Sequence, residues 1–346
     1  MSVARWIRRL CLAGLLLCFA VVVLGAYVRL TAAGLGCPDW PGCYGQLSPP
    51  GAEPSAAALP AYPGRALDAG KAWREMIHRY AAGTLAAIIA LITVLALAAR
   101  RARVVSVPLV LALFATVLVQ ALLGMLTVTW QLKPLIVTAH LLFGMTTLAL
   151  LWWLTLSLPR SSWGSTALHS AGRAISGGGA SPLAHARLLA LLGLGALLLQ
   201  IALGGWTSSN YAAIACPDFP TCQGVWWPHA DFRQGFALWH GLNIDYEGGV
   251  LDNPSRVAID LAHRLSALLA AVVLGLAALY VLLRRRGFAG ARRWAWALLA
   301  ALALQLAIGV SMVLRGFPLW LATLHTAGAA LLLLATLALL RSLSAR

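Results

Sequence analysis

Four histidines fall inside long apolar stretches of this chain and form two pairs. They are His78 and His140 in the first half, and His263 and His325 in the second. Ionisable side chains are rare within membrane segments, where they mark functional sites by default. Two neutral imidazoles that face each other across a helix bundle can supply both axial ligands of a haem iron, whereas zinc would need three or four ligands at one depth. Two such pairs therefore favour haem ligation over simple hydrogen bonding between neighbouring helices.

A carboxylic acid precedes one histidine of each pair by three residues. Glu75 stands in this relation to His78, and Asp260 to His263, so each acid shares a helix face with its histidine. A carboxylate near a haem edge can accept or relay protons. The alternative is a first-turn acid that the helix dipole favours, which is the interpretation that we prefer for Asp260.

An arginine follows each of the same two histidines directly, as Arg79 and Arg264. A guanidinium group matches the two oxygens of a carboxylate. We therefore predict that both arginines bind haem propionates. The alternative is an arginine that anchors its helix at the membrane interface.

Four of the six cysteines form two similar pairs in the segments between apolar stretches. Cys37 pairs with Cys43 and Cys216 with Cys222, each with five residues between the two thiols. In an oxidising compartment such a short, proline-bent loop can close as a disulfide. A redox-active pair that passes electrons is the alternative, while metal binding is disfavoured because the C-x-x-C spacing is missing. We predict two structural disulfides.

The elements that position these residues are apolar runs long enough to cross a membrane. Hydrophobic residues make up 61% of the 346 residues and charged residues only 10%, against about 25% in soluble domains. A transmembrane helix needs about 20 mostly apolar residues, and open strands are excluded because lipid cannot pair their backbone groups. In the second, fourth, sixth and eighth of the runs given below, the paired histidine lies within about the first seven residues of the predicted helix. Eight runs qualify as helices: about 10–31, 77–99, 105–128, 135–158, 186–207, 258–283, 292–314 and 319–341.

The chain reads as two copies of one four-helix unit. The segment at Cys37 recurs 179 residues later at Cys216, and the histidines recur at an offset of 185. Four spans return the chain to its starting side, so the two units have the same orientation, and a pseudo-twofold axis along the membrane normal is predicted. The predicted fold is an all-α integral membrane protein with two four-helix bundles, at 1–158 and 186–346, joined by a cytoplasmic linker at 159–185.

The basic excess predicts the orientation of the chain. All ten acidic residues and ten of the 26 Lys and Arg fall on one side of the predicted membrane, so the net charge of +16 lies entirely on the other side, with the N-terminus. Basic residues mark the cytoplasmic side, which places both termini in the cytoplasm. The charge also suits anionic membrane lipids. Nucleic acid is disfavoured as a partner, because no recognition motif accompanies the charge.

Taken together, these motifs resemble those of the haem A synthase family over nearly the whole chain. The residues that carry the resemblance are Gly36-Cys37-Pro38-Asp39-Trp40-Pro41, Glu75-Met76-Ile77-His78-Arg79, His140 and their counterparts in the second half. The resemblance implies oxidation of the C8 methyl group of haem O to a formyl group by successive hydroxylation. It also implies a bacterial inner-membrane location, haem O as substrate, and haem O synthase and terminal oxidase assembly factors as partners.

The same resemblance implies a division of labour between the halves. His78 and His140 would hold the substrate haem, and His263 and His325 would hold a haem b cofactor. Glu75 matches the acidic residue that is proposed to act in catalysis in the family, although the acid at Asp260 blurs the usual asymmetry.

A diheme b-type cytochrome that transfers electrons to or from quinone is the alternative function. The histidines alone fit both, but pure electron transfer needs neither Glu75 nor the cysteine loops. A transporter is disfavoured, because the histidines are predicted near one face and no broken helix pair is evident. The sequence assigns no role to the long segment 225–257.

Overall fold

A computed structural model describes residues 3–49, 67–102, 105–158, 182–241, 244–284 and 288–344. Within these ranges the regular structure is helical and contains no β-strand, only two isolated bridges. The nine α-helices of the described residues are α1 (Val3–Leu30), α2 (Ala69–Ala98), α3 (Val107–Thr129), α4 (Pro134–Ser157), α5 (Pro182–Ser209), α6 (Phe232–Gly235), α7 (Asn253–Leu283), α8 (Ala289–Leu314) and α9 (Leu319–Ser344).

All of these helices except the single turn α6 are long and apolar enough to cross a membrane. The number and the order of spans agree with the sequence prediction, and the chain is a multi-pass membrane protein. The location of the termini, the twofold relation of the halves and the domain boundaries stay predictions.

Among the helices that carry the paired histidines, two begin several residues earlier than hydropathy predicted. Helix α2 begins at Ala69 rather than at residue 77, and α7 at Asn253 rather than at 258. An aspartate caps each start, because the side chain of Asp68 accepts from Lys71 N at 2.9 Å and that of Asp252 from Ser255 N at 3.0 Å. Hydropathy misses these first turns because they are polar.

The early starts change the depth of two histidines. His78 is the tenth residue of α2 and His263 the eleventh of α7, so the prediction of seven residues was wrong for both. His140 and His325 are each the seventh residue of their helix, as predicted.

The long helices pack in two groups of four. Helices α1, α2, α3 and α4 contact one another in ring order, with α4 closing on α1, and α5, α7, α8 and α9 do the same. The two groups meet where α1 and α4 contact α5 and α9. Buried leucines, including Leu148, Leu151, Leu274 and Leu333, fill one continuous core. In ring order α2 lies opposite α4 and α7 opposite α9, so the histidines of each pair face each other across a bundle.

Both cysteine loops lie at one end of the helices, which we call the cysteine end. At this end the last turn of α1 is tied to that of α5, because Arg29 Nη2 donates to the Ser208 carbonyl at 2.8 Å. The α3–α4 turn and the segment between α5 and α7 lie at the same end. The histidine sites are therefore to be sought beneath these loops.

Candidate functional site

The two histidines of the second half lie at a distance that suits a shared metal ion. The ring centroids of His263 and His325 are 6.5 Å apart, and the ring planes cross at 74°. Two metal–nitrogen bonds of about 2.0–2.1 Å, added to roughly 1.1 Å from each nitrogen to its ring centre, would place the centroids about 6.3 Å apart. The pair therefore fits axial ligation of one haem iron.

Each of these two imidazoles has an amide beside it. Gln200 Nε2 lies 3.2 Å from His263 Nδ1, and Gln305 Nε2 lies 3.3 Å from His325 Nε2 and 3.1 Å from the His325 carbonyl. The hydroxyl of Ser266 donates to the oxygen of Gln200 and fixes that amide. Both glutamines present an amide N–H to the ring, so each contacted ring nitrogen is an acceptor, and these contacts fix the positions of the two imidazoles.

The histidines of the first half have fewer polar neighbours. Gln120 Nε2 donates to the His140 carbonyl at 3.0 Å and lies 3.5 Å from its Nε2. The Nδ1 atoms of His78 and His140 are buried and lack a hydrogen-bond partner among the described residues. At the positions that correspond to Gln200 and Ser266 by the repeat offsets, the first half has Val21 and Ala81. Buried ring nitrogens normally have a partner, so these two are suited to receive a ligand.

A glycine on a neighbouring helix makes room for each imidazole. A Cβ added at Gly25 would lie 2.9 Å from His78 Cε1, and at the other three glycines it would lie 3.0–3.3 Å from Cε1 of the neighbouring histidine. Side chains at these positions would therefore push the imidazoles out of place. The glycines are Gly25 beside His78, Gly124 beside His140, Gly204 beside His263 and Gly309 beside His325.

Glu75 lies at the contact between α2 and the first cysteine loop. Its side chain is buried, with 4% exposure, and its Oε2 accepts the backbone N–H of Cys37 at 2.8 Å. Its other oxygen forms an ion pair with Arg79. The acid thus joins the helix that carries His78 to the disulfide loop.

Asp260 occupies the equivalent place in the second half but makes a different set of contacts. It is equally buried, with 5% exposure, and pairs with Arg264 Nε at 2.7 Å. Among the described residues no backbone N–H of the second cysteine loop donates to it. The backbone carbonyl of Cys216 instead accepts from Arg264 at 2.8 Å.

Both arginines hold their cysteine loops in place. Arg79 Nη1 donates to the carbonyls of Asp39 at 2.8 Å and Pro41 at 3.3 Å. Arg264 Nη1 donates to the carbonyls of Asp218 at 2.9 Å and Thr221 at 2.8 Å. These donors are used within the protein, and propionate binding by either arginine stays a prediction.

The four loop cysteines form two disulfides. The S–S distances are 2.03 Å for Cys37–Cys43 and 1.93 Å for Cys216–Cys222, while Cys11 is free and buried, as is Cys18. The predicted pairing is therefore supported, and the redox alternative is untested.

An aspartate closes each disulfide loop. Asp39 accepts the backbone N–H of Tyr44 at 2.6 Å, and Asp218 accepts that of Gln223 at 2.6 Å. The hydroxyl of Thr221 also donates to Asp218, and these hydrogen bonds lower the pKa of Asp218. The carboxylates therefore favour the bent form of both loops.

Comparison with known proteins places the whole chain in one family. Residues 8–337 match the family model COX15-CtaA, described as cytochrome oxidase assembly protein. A protein of Shewanella oneidensis named Heme A synthase is 40% identical over 95% of this chain and 93% of its own length. A Heme A synthase of Caulobacter vibrioides is 30% identical over 91% and 89%, and one of Granulibacter bethesdensis is 27% identical over 99% and 87%.

The chain belongs to the haem A synthase family. The resemblance predicted from the cysteine loops and the histidines is thereby confirmed at the level of the family.

For this member of the haem A synthase family, sequence reasoning missed Gly25, Gly204 and Gln200. Gly25 and Gly204 are 179 residues apart, the same offset as the cysteine pairs, so an alignment of the two halves would have found them. Gln200 has no polar counterpart, and only its distance to His263 reveals its role.

Residues 239–241 and 244–247 form a contact between the halves that the sequence did not predict. We call them the bridging segment; residues 242 and 243 lie outside the described part of the chain. The backbone N–H of Tyr246 donates to the carbonyl of Gln131 in the α3–α4 turn at 3.2 Å. Glu247 lies 3.7 Å from Lys71 in the first turn of α2. The second half thus covers part of the cysteine end of the first.

Proposed function

We propose that this protein is a haem A synthase that oxidises the C8 methyl group of haem O to a formyl group. Two successive hydroxylations with water as the oxygen source convert R–CH3 and H2O into R–CHO, four protons and four electrons. The electrons leave to an acceptor outside the chain. The observation that carries the proposal is Glu75, a buried acid one helical turn from His78 and hydrogen-bonded to the disulfide loop.

In this proposal the first half holds the substrate. His78 and His140 bind the haem O iron from opposite sides, and Gly25 and Gly124 leave room for their rings. Glu75 accepts protons that the methyl group loses, because it is the acid closest in sequence and helix face to a substrate ligand. The backbone N–H of Cys37 holds the carboxylate at a fixed place.

The second half holds haem b between His263 and His325. Haem b supplies a one-electron redox centre there. Gln200 and Gln305 fix the orientation of the two imidazoles, and their contacts support a permanent rather than an exchanging ligand. Asp260 stabilises its loop through Arg264 and carries no proton of the reaction.

Arg79 and Arg264 lie beneath the cysteine loops, where each is proposed to contribute positive charge to the propionate side of its haem. The cysteine end is proposed to face the periplasm of a bacterial inner membrane, where oxidising conditions maintain disulfides. Both termini then lie in the cytoplasm, together with the net positive charge.

Haem analysis of cells tests the function directly. The chain is expressed in a host that makes haem O but lacks its own haem A synthase, and extracted haems are identified by mass. Haem A in the host, with haem b bound to the purified protein, is the expected result. Haem b alone, with haem O unchanged at normal protein levels, would favour the diheme cytochrome. The Glu75→Gln variant is the matched control, because it keeps the fold but cannot ionise.

A further inference from the structure

The bridging segment and the α3–α4 turn enclose a cavity of about 270 Å³ at the cysteine end, which we call the turn cavity. Its walls come from both halves of the chain. Trp130 and Lys133 line it from the first half, and Gly241, Ile244 and Tyr246 from the second. Two of these side chains, Lys133 and Tyr246, are polar and almost fully buried, with 2% exposure each.

Lys133 is a buried cation that has no acidic partner among the described residues. Its Nζ donates to the Gly241 carbonyl at 3.0 Å and lies over the ring of Trp239. Among the described residues no carboxylate lies within 4.0 Å of it. Burial lowers the pKa of Lys133. Since buried charges in proteins are normally paired, the ammonium group, which has three donors, is suited to an anionic ligand.

Tyr246 adds a second donor to the cavity. Its hydroxyl is buried and has no hydrogen-bond partner among the described residues. Burial raises the pKa of Tyr246, so the phenol keeps its proton and can donate it. Its ring packs on Leu35 and Leu132 of the first half. Both donors therefore line the turn cavity, where the halves touch.

The position of Lys133 points to the substrate haem as the source of the anion. Lys133 is the N-cap of α4, seven residues before His140. Seven residues are almost two helical turns, so the two side chains leave the same face of α4 about 10 Å apart along the axis. The position that corresponds to Lys133 in the second half is Pro318, so this cation belongs to the first half alone. Arg79 is already engaged by Glu75 and the loop carbonyls.

We propose that Lys133 and Tyr246 bind a propionate carboxylate of the haem held between His78 and His140. This inference rests on the proposed function, because it takes the first half as the substrate site. The second half thereby contributes a substrate-binding residue, Tyr246, to the first. Lys133 supplies the charge, and Tyr246 a hydrogen bond to the same carboxylate.

A cycle that changes both the protein and the ligand tests the proposal. The purified protein in lipid nanodiscs is titrated with iron protoporphyrin IX and with its dimethyl ester, which has no carboxylates. In each titration, the contribution of the first half is the binding that is lost in the His78→Ala variant. Lys133→Met is expected to weaken binding of the free acid roughly 10- to 100-fold, as loss of a charged hydrogen bond does, and to leave binding of the ester unchanged. Tyr246→Phe is expected to weaken the free acid a few-fold only.

Arg315→Met is the matched control, since it removes an exposed cation in the α8–α9 turn, which corresponds to the α3–α4 turn. It is expected to change neither titration. Equal losses for acid and ester in Lys133→Met would mean that the lysine acts on the fold, and would overturn the proposal. Tyr246→Phe decides the matter if Lys133→Met does not assemble, because an unchanged affinity for the free acid would also overturn it.

Two further outcomes are distinguishable. The Lys133→Met variant could bind the free acid and the ester normally but lose the stabilisation that an added anionic phospholipid gives to the unchanged protein. In that case the cavity holds a lipid headgroup, and the proposal is overturned. If His78→Ala changes neither titration, the first half is not the haem site, and the proposed function fails together with the inference.

Discussion

The two halves of the molecule place a buried acid at the same point, and the two acids make different contacts. Glu75 accepts the backbone N–H of Cys37, whereas Arg264 is the one polar partner of Asp260 among the described residues. Glutamate is one methylene longer than aspartate, so it spans the gap between helix and loop. The comparison shows that two equally buried acids at equivalent positions can make different contacts. Only in the first half is the charge of the acid coupled directly to the backbone of the disulfide loop.

The polar neighbours of the histidines also differ between the two halves. His263 has Gln200 within 3.2 Å, whereas the corresponding position beside His78 is Val21. Polar partners hold an imidazole in one orientation, which favours a ligand that stays bound. A cofactor must stay bound, while a substrate must leave as product. The polar second half and the apolar first half agree with these two demands.

Ligand removal gives the largest expected effect on this comparison. His263→Ala or His325→Ala should abolish bound haem b, because the iron loses an axial ligand. His78→Ala should leave haem b in place and abolish only the exchangeable haem. Visible spectra and haem extraction of purified variants measure both. Unchanged spectra in both second-half variants would contradict the assignment of the halves.

Neutralising the buried acids should give the second largest effect, and the loss of activity should differ between the two halves. Glu75→Gln is expected to lower the rate of haem A formation by roughly 10²- to 10⁴-fold, the range of general base catalysis, with folding and haem b retained. Asp260→Asn should lower it a few-fold at most. Glu75→Asp, which copies the second half, should fall between the two because it loses contact with Cys37. Haem analysis at matched protein levels measures all three, and a larger loss in Asp260→Asn would reverse the assignment.

Filling the space beside the imidazoles should have a smaller, graded effect. Gly25→Ala places a Cβ 2.9 Å from His78 Cε1, and overpacking of this kind costs about 1–3 kcal/mol, so haem binding in the first half should weaken roughly tenfold or more. Gly124→Ala, with 3.3 Å to His140 Cε1, should do less. Gly83→Ala is the control, because open space surrounds that position. Haem titration measures the affinity of all three variants. An equal loss of affinity in all three would show that alanine acts through the helices in general and not through contact with the imidazoles.

The smallest effect is expected when the second half is made to resemble the first. Gln200→Val removes the amide N–H beside His263, which should weaken haem b retention by about tenfold and lower its midpoint potential, since an imidazole that no longer accepts this N–H is a better electron donor. Potentiometric titration of the bound haem measures the shift. Leu199→Val, an apolar change at the next position, should leave the potential unaltered. An identical potential in Gln200→Val would remove Gln200 from the haem site.

Much of this architecture could be predicted from local sequence. Apolar runs of about 20 residues identify membrane helices because burial in lipid is a property of each segment alone. The disulfides could be predicted for the same reason, since only five residues separate Cys37 from Cys43. The helix starts at Ala69 and Asn253 could not be predicted from hydropathy, because a capped first turn is polar.

The missing parts of the site depend on packing between distant segments. Gly25 is important only because α1 lies against the ring of His78. The turn cavity exists only because Tyr246 reaches Gln131, more than a hundred residues away in the chain. Contacts at such separations have no local pattern, and the engagement of Arg79 by the cysteine loop is another of this kind.

The bridging segment has a consequence for the order of events during biosynthesis. Translation completes the first four helices at Ser157, but Gly241 and Tyr246, which close the turn cavity, follow more than eighty residues later. Domains made first generally fold first. The first bundle therefore stands in the membrane with this part of its cysteine end uncovered until the segment after α5 has been translocated. In that interval the rate of translation determines how long this part of the first half stays uncovered.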